Sequence, residues 1–95
     1  MLLNRNPKIS NIFSINSKNE LFELQIISEN ELKNYYYNNK KILEIGCGIG
    51  TDAVMFAKEK CEYYGIDLSD ESLEITKQRF KIYNLDGKFY NINLL

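Results

Sequence analysis

The sequence predicts an α/β fold: a parallel sheet with helices packed on it, preceded by a short helical arm. Three observations predict it. From Lys41 onward, short apolar runs alternate with amphipathic segments in the order strand, helix, strand, helix, strand. Three glycines, Gly46, Gly48 and Gly50, follow the first apolar run directly, and an acidic residue, Asp67, closes the second. Strands that alternate with single helices come back beside one another through right-handed crossovers, which makes the sheet parallel.

Residues 1–40 read as an N-terminal arm, mostly helical, and residues 41–95 as the sheet-forming domain. Positions 1 to about 16 show neither clean alternation nor a helical period, and hold the single proline, Pro7. Ser17 and Glu20 form an S-x-x-E capping box ahead of Leu21, Phe22, Leu24 and Ile27, and Ser28 and Glu31 form a second ahead of Leu32, Tyr35 and Tyr36. Each box predicts a short helix, because the serine and the glutamate satisfy the first free amides of a helix reciprocally. In the run Tyr35 to Tyr37, two rings are expected to cover the core and one to face solvent at the helix end.

The domain itself is more regular. "KILEI" from Lys41 is a short buried strand, Thr51 to about Lys60 a helix with Ala53, Phe56 and Ala57 on one face, and "CEYYGID" from Cys61 a second strand. Ser69 is a suitable N-cap for the next helix, Asp70 and Glu71 suit the positive end of its dipole, and Leu73, Thr76, Phe80 and Tyr83 recur along one stripe. That helix ends near Asn84. A turn through Asp86 and Gly87 leads into a third strand within "KFYNIN".

Composition sets the outer limits. Ninety-five residues, with 44% hydrophobic and 26% charged side chains, suit one small soluble domain. Twelve basic and thirteen acidic residues, a net charge of -1, lie scattered along the chain and argue against a nucleic-acid backbone grip. No apolar stretch reaches the roughly 18 residues of a membrane span, and the start lacks a signal-peptide core, so a cytoplasmic protein is expected. With no histidine and two isolated cysteines, Cys47 and Cys61, no metal site is expected, and the usual Ser/His and Cys/His nucleophile pairs are excluded. Cys47 reads as a small loop residue rather than a nucleophile.

Glycines at this position let the chain turn sharply off a strand and let a ligand reach the peptide plane without meeting a Cβ. The following helix directs its amides and partial positive charge at that ligand. Asp67, at the end of the neighbouring strand, offers two acceptor oxygens to a ribose diol. Counted from Gly48, "GIGTDA" also satisfies the dinucleotide pattern G-x-G-x-x-G/A, with the acidic residue at about the expected distance of 20 residues. Glu44, two residues ahead of the first glycine, separates the readings: a carboxylate there repels a pyrophosphate and favours a cofactor with a cationic end.

The combination "EIGCGIG", "YYGIDLS" and "ESLEITKQRFKIYNL" resembles the class I S-adenosylmethionine-dependent methyltransferases, over about Lys41 to Leu95. The resemblance implies a three-layer Rossmann-like sheet of which this chain holds the first three of seven strands. It implies S-adenosylmethionine as cofactor, with Gly46, Gly48 and Gly50 around the methionine part, Glu44 near the amino group, Asp67 on the ribose hydroxyls and Leu68 on the adenine. The residue facing the adenine amino group is Asn93 by the same likeness, with Asn91 as runner-up. The later strands that carry the acceptor in the family are absent, so no catalytic base and no methyl acceptor are assigned. Two other readings stay open: a non-catalytic cofactor-binding or interaction module, and an NAD-binding Rossmann fragment.

A sheet cut after its third strand leaves the far edge of "KILEI" open, with only Lys40 and Lys41 as guards. That edge is expected to take the arm, a second copy of the chain or a complementing polypeptide, and the isolated chain to self-associate.

Overall fold

The computed structural model describes residues 11–18 and 21–93. They form a five-stranded sheet with two helices. The strands are β1 (Ile12–Lys18), β2 (Leu21–Ile26), β3 (Lys41–Ile45), β4 (Glu62–Asp67) and β5 (Lys88–Asn91), and the helices are α1 (Thr51–Lys58) and α2 (Asp70–Ile82). The spatial order is β2-β1-β3-β4-β5. β3, β4 and β5 run parallel, as the strand and helix alternation predicts, whereas β1 is antiparallel to both β2 and β3. The sheet is therefore mixed rather than purely parallel.

The predicted helical arm is the main correction. In place of its first helix stands a β-hairpin, β1 and β2; Glu20 of the first capping box lies outside the described residues. Leu21, Leu24 and Ile27 satisfy helical spacing, but Phe22, Leu24 and Ile26 alternate with Glu23 and Gln25 at the period of a strand, and the strand reading wins. Its advantage is tertiary. The open edge of β3 offers backbone partners to an extended segment, and β1 takes them, with Phe13 opposite Leu43 and Ser14 opposite Ile42. Of the three occupants expected for the edge of "KILEI", the arm, a second copy or a complementing polypeptide, it is the arm that takes it, as a strand rather than a helix.

The second capping box forms but caps no helix. The Glu31 amide donates to Ser28 Oγ at 3.2 Å and the Ser28 amide to Glu31 Oε1 at 3.3 Å, yet the chain makes only turns through Asn34 before extending again. Beyond it, Tyr37 is buried and packs against Phe56 of α1 and against Tyr35, while Tyr36 is 69% exposed.

Both helices, and the segment holding Tyr37, lie on one face of the sheet. Ile42, Tyr63 and Phe89 point into that layer, where Tyr63, Phe80 and Phe89 stack with centroids 4.9 to 5.9 Å apart. Burial of side chains of this size contributes on the order of 2 to 3 kcal/mol each. α2 begins at Ser69, whose hydroxyl accepts from the Ser72 amide at 3.1 Å, and its end is marked by Asn84 in the left-handed region at φ 55°. Across the sheet, Phe22, Leu24 and Ile26 of β2 continue through Phe13, Leu43 and Tyr64 on a face that no helix covers among the described residues. Among the described residues the expected three layers are two.

β1 shields β3, so the backbone amides of Ile42 to Ile45 should exchange slowly with solvent deuterium, among the slowest in the chain. Hydrogen exchange read by mass spectrometry checks this; fast exchange along β3 would mean that the hairpin does not hold the edge in solution.

Candidate functional site

The loops after β3, β4 and β5 meet at the carboxyl ends of the parallel strands. Gly46, Gly48 and Gly50 adopt φ of 77°, 57° and 87°, all in the left-handed region, so the chain reverses off β3 in a way that side chains other than glycine resist. These glycines are not equivalent. A Cβ at Gly46 or Gly48 would meet nothing within 4 Å, whereas one at Gly50 would lie 2.7 Å from Thr76 Cγ2. Gly46 and Gly48 thus face space open to a ligand, and Gly50 lets the loop settle on α2.

The loop is held from several directions. The Ile66 carbonyl accepts from the amides of Gly46 at 2.7 Å and Cys47 at 3.1 Å. The Gly48 amide donates to Asp67 Oδ2 at 2.7 Å, and the Ser69 amide to Oδ1 at 3.0 Å. From below, the buried Thr76 hydroxyl reaches the Gly48 carbonyl at 2.9 Å, and the Arg79 guanidinium donates to the Ile49 carbonyl at 3.2 Å and to Thr51 Oγ1 at 3.1 Å. Neither α2 residue was singled out for the site from sequence. Thr76 carried a signal, a hydroxyl inside an otherwise apolar stripe.

A cleft of about 220 Å³ opens beside the loop. Ile45, Ile66 and Ile92 supply its apolar wall, and Gly46, Asp67, Leu68 and Asn93 complete the lining. Leu68 is 60% exposed over it. Of the two candidate asparagines the structure brings Asn93 to the cleft. Asn91 is committed elsewhere, donating through Nδ2 to Asp70 Oδ1 at 2.6 Å and to the Leu68 carbonyl at 3.3 Å. The volume lies below the roughly 300 to 1,000 Å³ of a complete ligand pocket, as befits one wall of a site.

Glu44 stands apart from the cleft lining. It is 3% exposed, on the helix-facing side of β3, and accepts a hydrogen bond from the Tyr63 hydroxyl at 2.5 Å. Burial pushes its pKa up to about 7; the Tyr63 bond opposes the rise, and the carboxylates of Asp52 and Asp67 add to it. Cys47 is buried in the loop, and loss of hydration pushes its thiol up to about 11, which suits a packing role better than a nucleophilic one.

A family profile described as the methyltransferase domain matches residues 42–94 of this chain, more than half of its length. The chain belongs to that family. Among curated proteins it is 34% identical over 71 residues to a protein of Geobacillus sp. (strain WCH70) that carries a methyltransferase name, covering 74% of this chain and 29% of that protein. It is 39% identical over 56 residues to an uncharacterized protein of Rickettsia prowazekii (strain Madrid E), covering 57% of this chain and 21% of that one. Its fold is similar to the crystal structure of an S-adenosylmethionine-dependent methyltransferase from Clostridium acetobutylicum, with a TM-score of 0.57 at 20% identity over 68% of this chain and 26% of that one. The chain thus spans less than a third of each of these relatives. It is a partial methyltransferase domain, and S-adenosylmethionine is the cofactor its family implies.

The buried Glu44 of this methyltransferase domain links stability to pH. Its carboxyl has an ordinary value of 4.5 and a folded value of about 7. Between the two the folded chain holds a proton that the unfolded chain has released, so this group's contribution is full below about 4.5, is lost as pH rises to about 7, and is level above. Glu44→Gln should remove that slope and gain, on the order of 3 kcal/mol, over the wild type above pH 7. Urea unfolding of both proteins from pH 4 to pH 8 checks it; parallel profiles would show that Glu44 ionises in the folded chain as it does in water.

Proposed function

We propose that the cleft at the strand ends holds S-adenosylmethionine and that this chain is the cofactor-binding portion of a methyltransferase. One observation carries the reading: a glycine loop with open space over Gly46 and Gly48 converges with the Asp67 carboxylate and an apolar wall on a single cleft. A ligand with both a polar backbone-binding end and a flat apolar ring suits that combination. Gly46 and Gly48 admit the methionine part against the backbone. Each Asp67 oxygen accepts one amide bond and keeps lone-pair capacity for a ribose hydroxyl. Leu68 and Ile92 pack on the adenine, and Asn93 meets its polar edge. Gly50 acts on the loop and not on the ligand.

Glu44, beneath the loop, contributes a carboxyl that disfavours a pyrophosphate and tolerates a cationic ligand end. When bound, S-adenosylmethionine supplies an electrophilic methyl group. For an acceptor already nucleophilic, most of the remaining task is alignment, which this chain's wall begins and other polypeptide completes. The acceptor and any general base belong to that remainder.

Calorimetric titration of the chain should show S-adenosylmethionine or its demethylated product binding more tightly than NAD. Tighter NAD binding would replace this reading with the dinucleotide one.

Removal of the Asp67 carboxylate should weaken the same binding by about 1 to 3 kcal/mol, roughly 5- to 150-fold, because the ribose hydroxyls lose a charged acceptor and the loop loses its tie. Titration of a folded Asp67→Ala variant measures it, and unchanged affinity would make Asp67 a purely structural residue.

A further inference from the structure

The hairpin that closes β3 leaves another edge, that of β2, which pairs with no further strand among the described residues. One bond fixes which of its backbone groups face outward. The Ile27 amide donates to the Ile12 carbonyl at 2.9 Å, one step beyond the Phe13 and Ile26 pair in the ladder. Antiparallel pairs alternate between bonded and non-bonded, so Leu21, Glu23 and Gln25 turn their amides and carbonyls toward β1, and Phe22, Leu24 and Ile26 turn theirs away from it. These are also the residues whose side chains lie on the uncovered face, 73%, 55% and 54% exposed. No proline interrupts the edge, and its one charged side chain, Glu23, points to the opposite face.

We propose that β2 pairs with β2 of a second copy of this chain, antiparallel about a two-fold axis at Leu24, joining the two sheets into one. The strand complements itself in this register. With Leu24 opposite Leu24 of the second copy, Phe22 stands opposite Ile26, an aromatic against a β-branched side chain, and each pair exchanges two backbone bonds through groups that already point outward. On the other face Glu23 stands opposite Gln25 of the second copy, a carboxylate across from an amide that can donate to it. Sliding toward the strand start sets Glu23 directly across from Glu23, and like charges in that position destabilise a pair. Sliding the other way carries Phe22 past the end of the partner strand. A shift by one residue turns the apolar side chains against the polar face. The inference stands apart from the cofactor reading, since no residue of the cleft takes part.

Sedimentation of the full chain over a concentration series should show a monomer giving way to a dimer. Leu24→Pro removes an outward amide and leaves every bond to β1 in place, a substitution that an edge strand tolerates, so the dimer should be lost while the far-UV spectrum is kept. In a Cys61→Ser background, with Cys47 buried, Leu24→Cys should cross-link to itself on oxidation, because residues opposite each other in a bonded pair sit about 5.5 Å apart, within disulfide reach. Phe22→Cys alone should not cross-link, and Phe22→Cys combined with Ile26→Cys should. Tyr64→Glu, on the uncovered face but away from β2, should leave the dimer intact. A monomer at every concentration, a dimer that survives Leu24→Pro, a dimer lost with Tyr64→Glu, or cross-linking of Phe22→Cys alone would overturn the proposal; if Leu24→Pro unfolds, the cysteine pattern decides.

Discussion

The Asp67 carboxylate is the joint on which the site turns. One oxygen takes the Gly48 amide, from the loop after β3, and the other the Ser69 amide, at the start of α2. Two loops that have no sequence proximity are thereby fixed over the ends of adjacent strands. Bonds from backbone amides to a charged acceptor are stronger than neutral ones, and a carboxylate has room for further donors after accepting two. The same group can therefore shape the cleft before a ligand arrives and contact the ligand afterwards. The register explains its reach: Glu44 pairs with Gly65 and Ile45 with Ile66, so the β3 loop leaves the sheet level with the end of β4.

From Lys41 onward the fold was legible because each element carries its own local signal. "KILEI" forms β3 with the bounds expected, Ser69 caps α2, and Asn84 ends it. The arm was not legible, since Leu21 to Ile27 satisfies two periods and only the tertiary demand of the β3 edge chooses between them. The Ser28 and Glu31 box shows the same limit at smaller scale. Its hydrogen bonds form as expected, but a cap fixes only the first turn, and the chain beyond it continues as turns through Asn34 rather than as a helix.

Within the site, sequence indicated the residue types better than their directions. Gly46, Asp67, Leu68 and Asn93 share one cleft. Glu44 stays out of the lining: alternation along β3 places it with Ile42 on the helix-covered face, where it is buried and accepts from Tyr63 of the neighbouring strand. Thr76 and Arg79 reach the loop from α2 across a distance in sequence that no short motif spans.

The contact between Gly50 and Thr76 also bears on how this sequence can drift. Any side chain at position 50 collides with Thr76, and a smaller residue at position 76 that made room would give up the hydroxyl that reaches the Gly48 carbonyl. Neither position can change first without loss, so the two behave as one inherited unit. Homologues should hold the pair together or replace both, and effects of single substitutions at the two sites should fail to add.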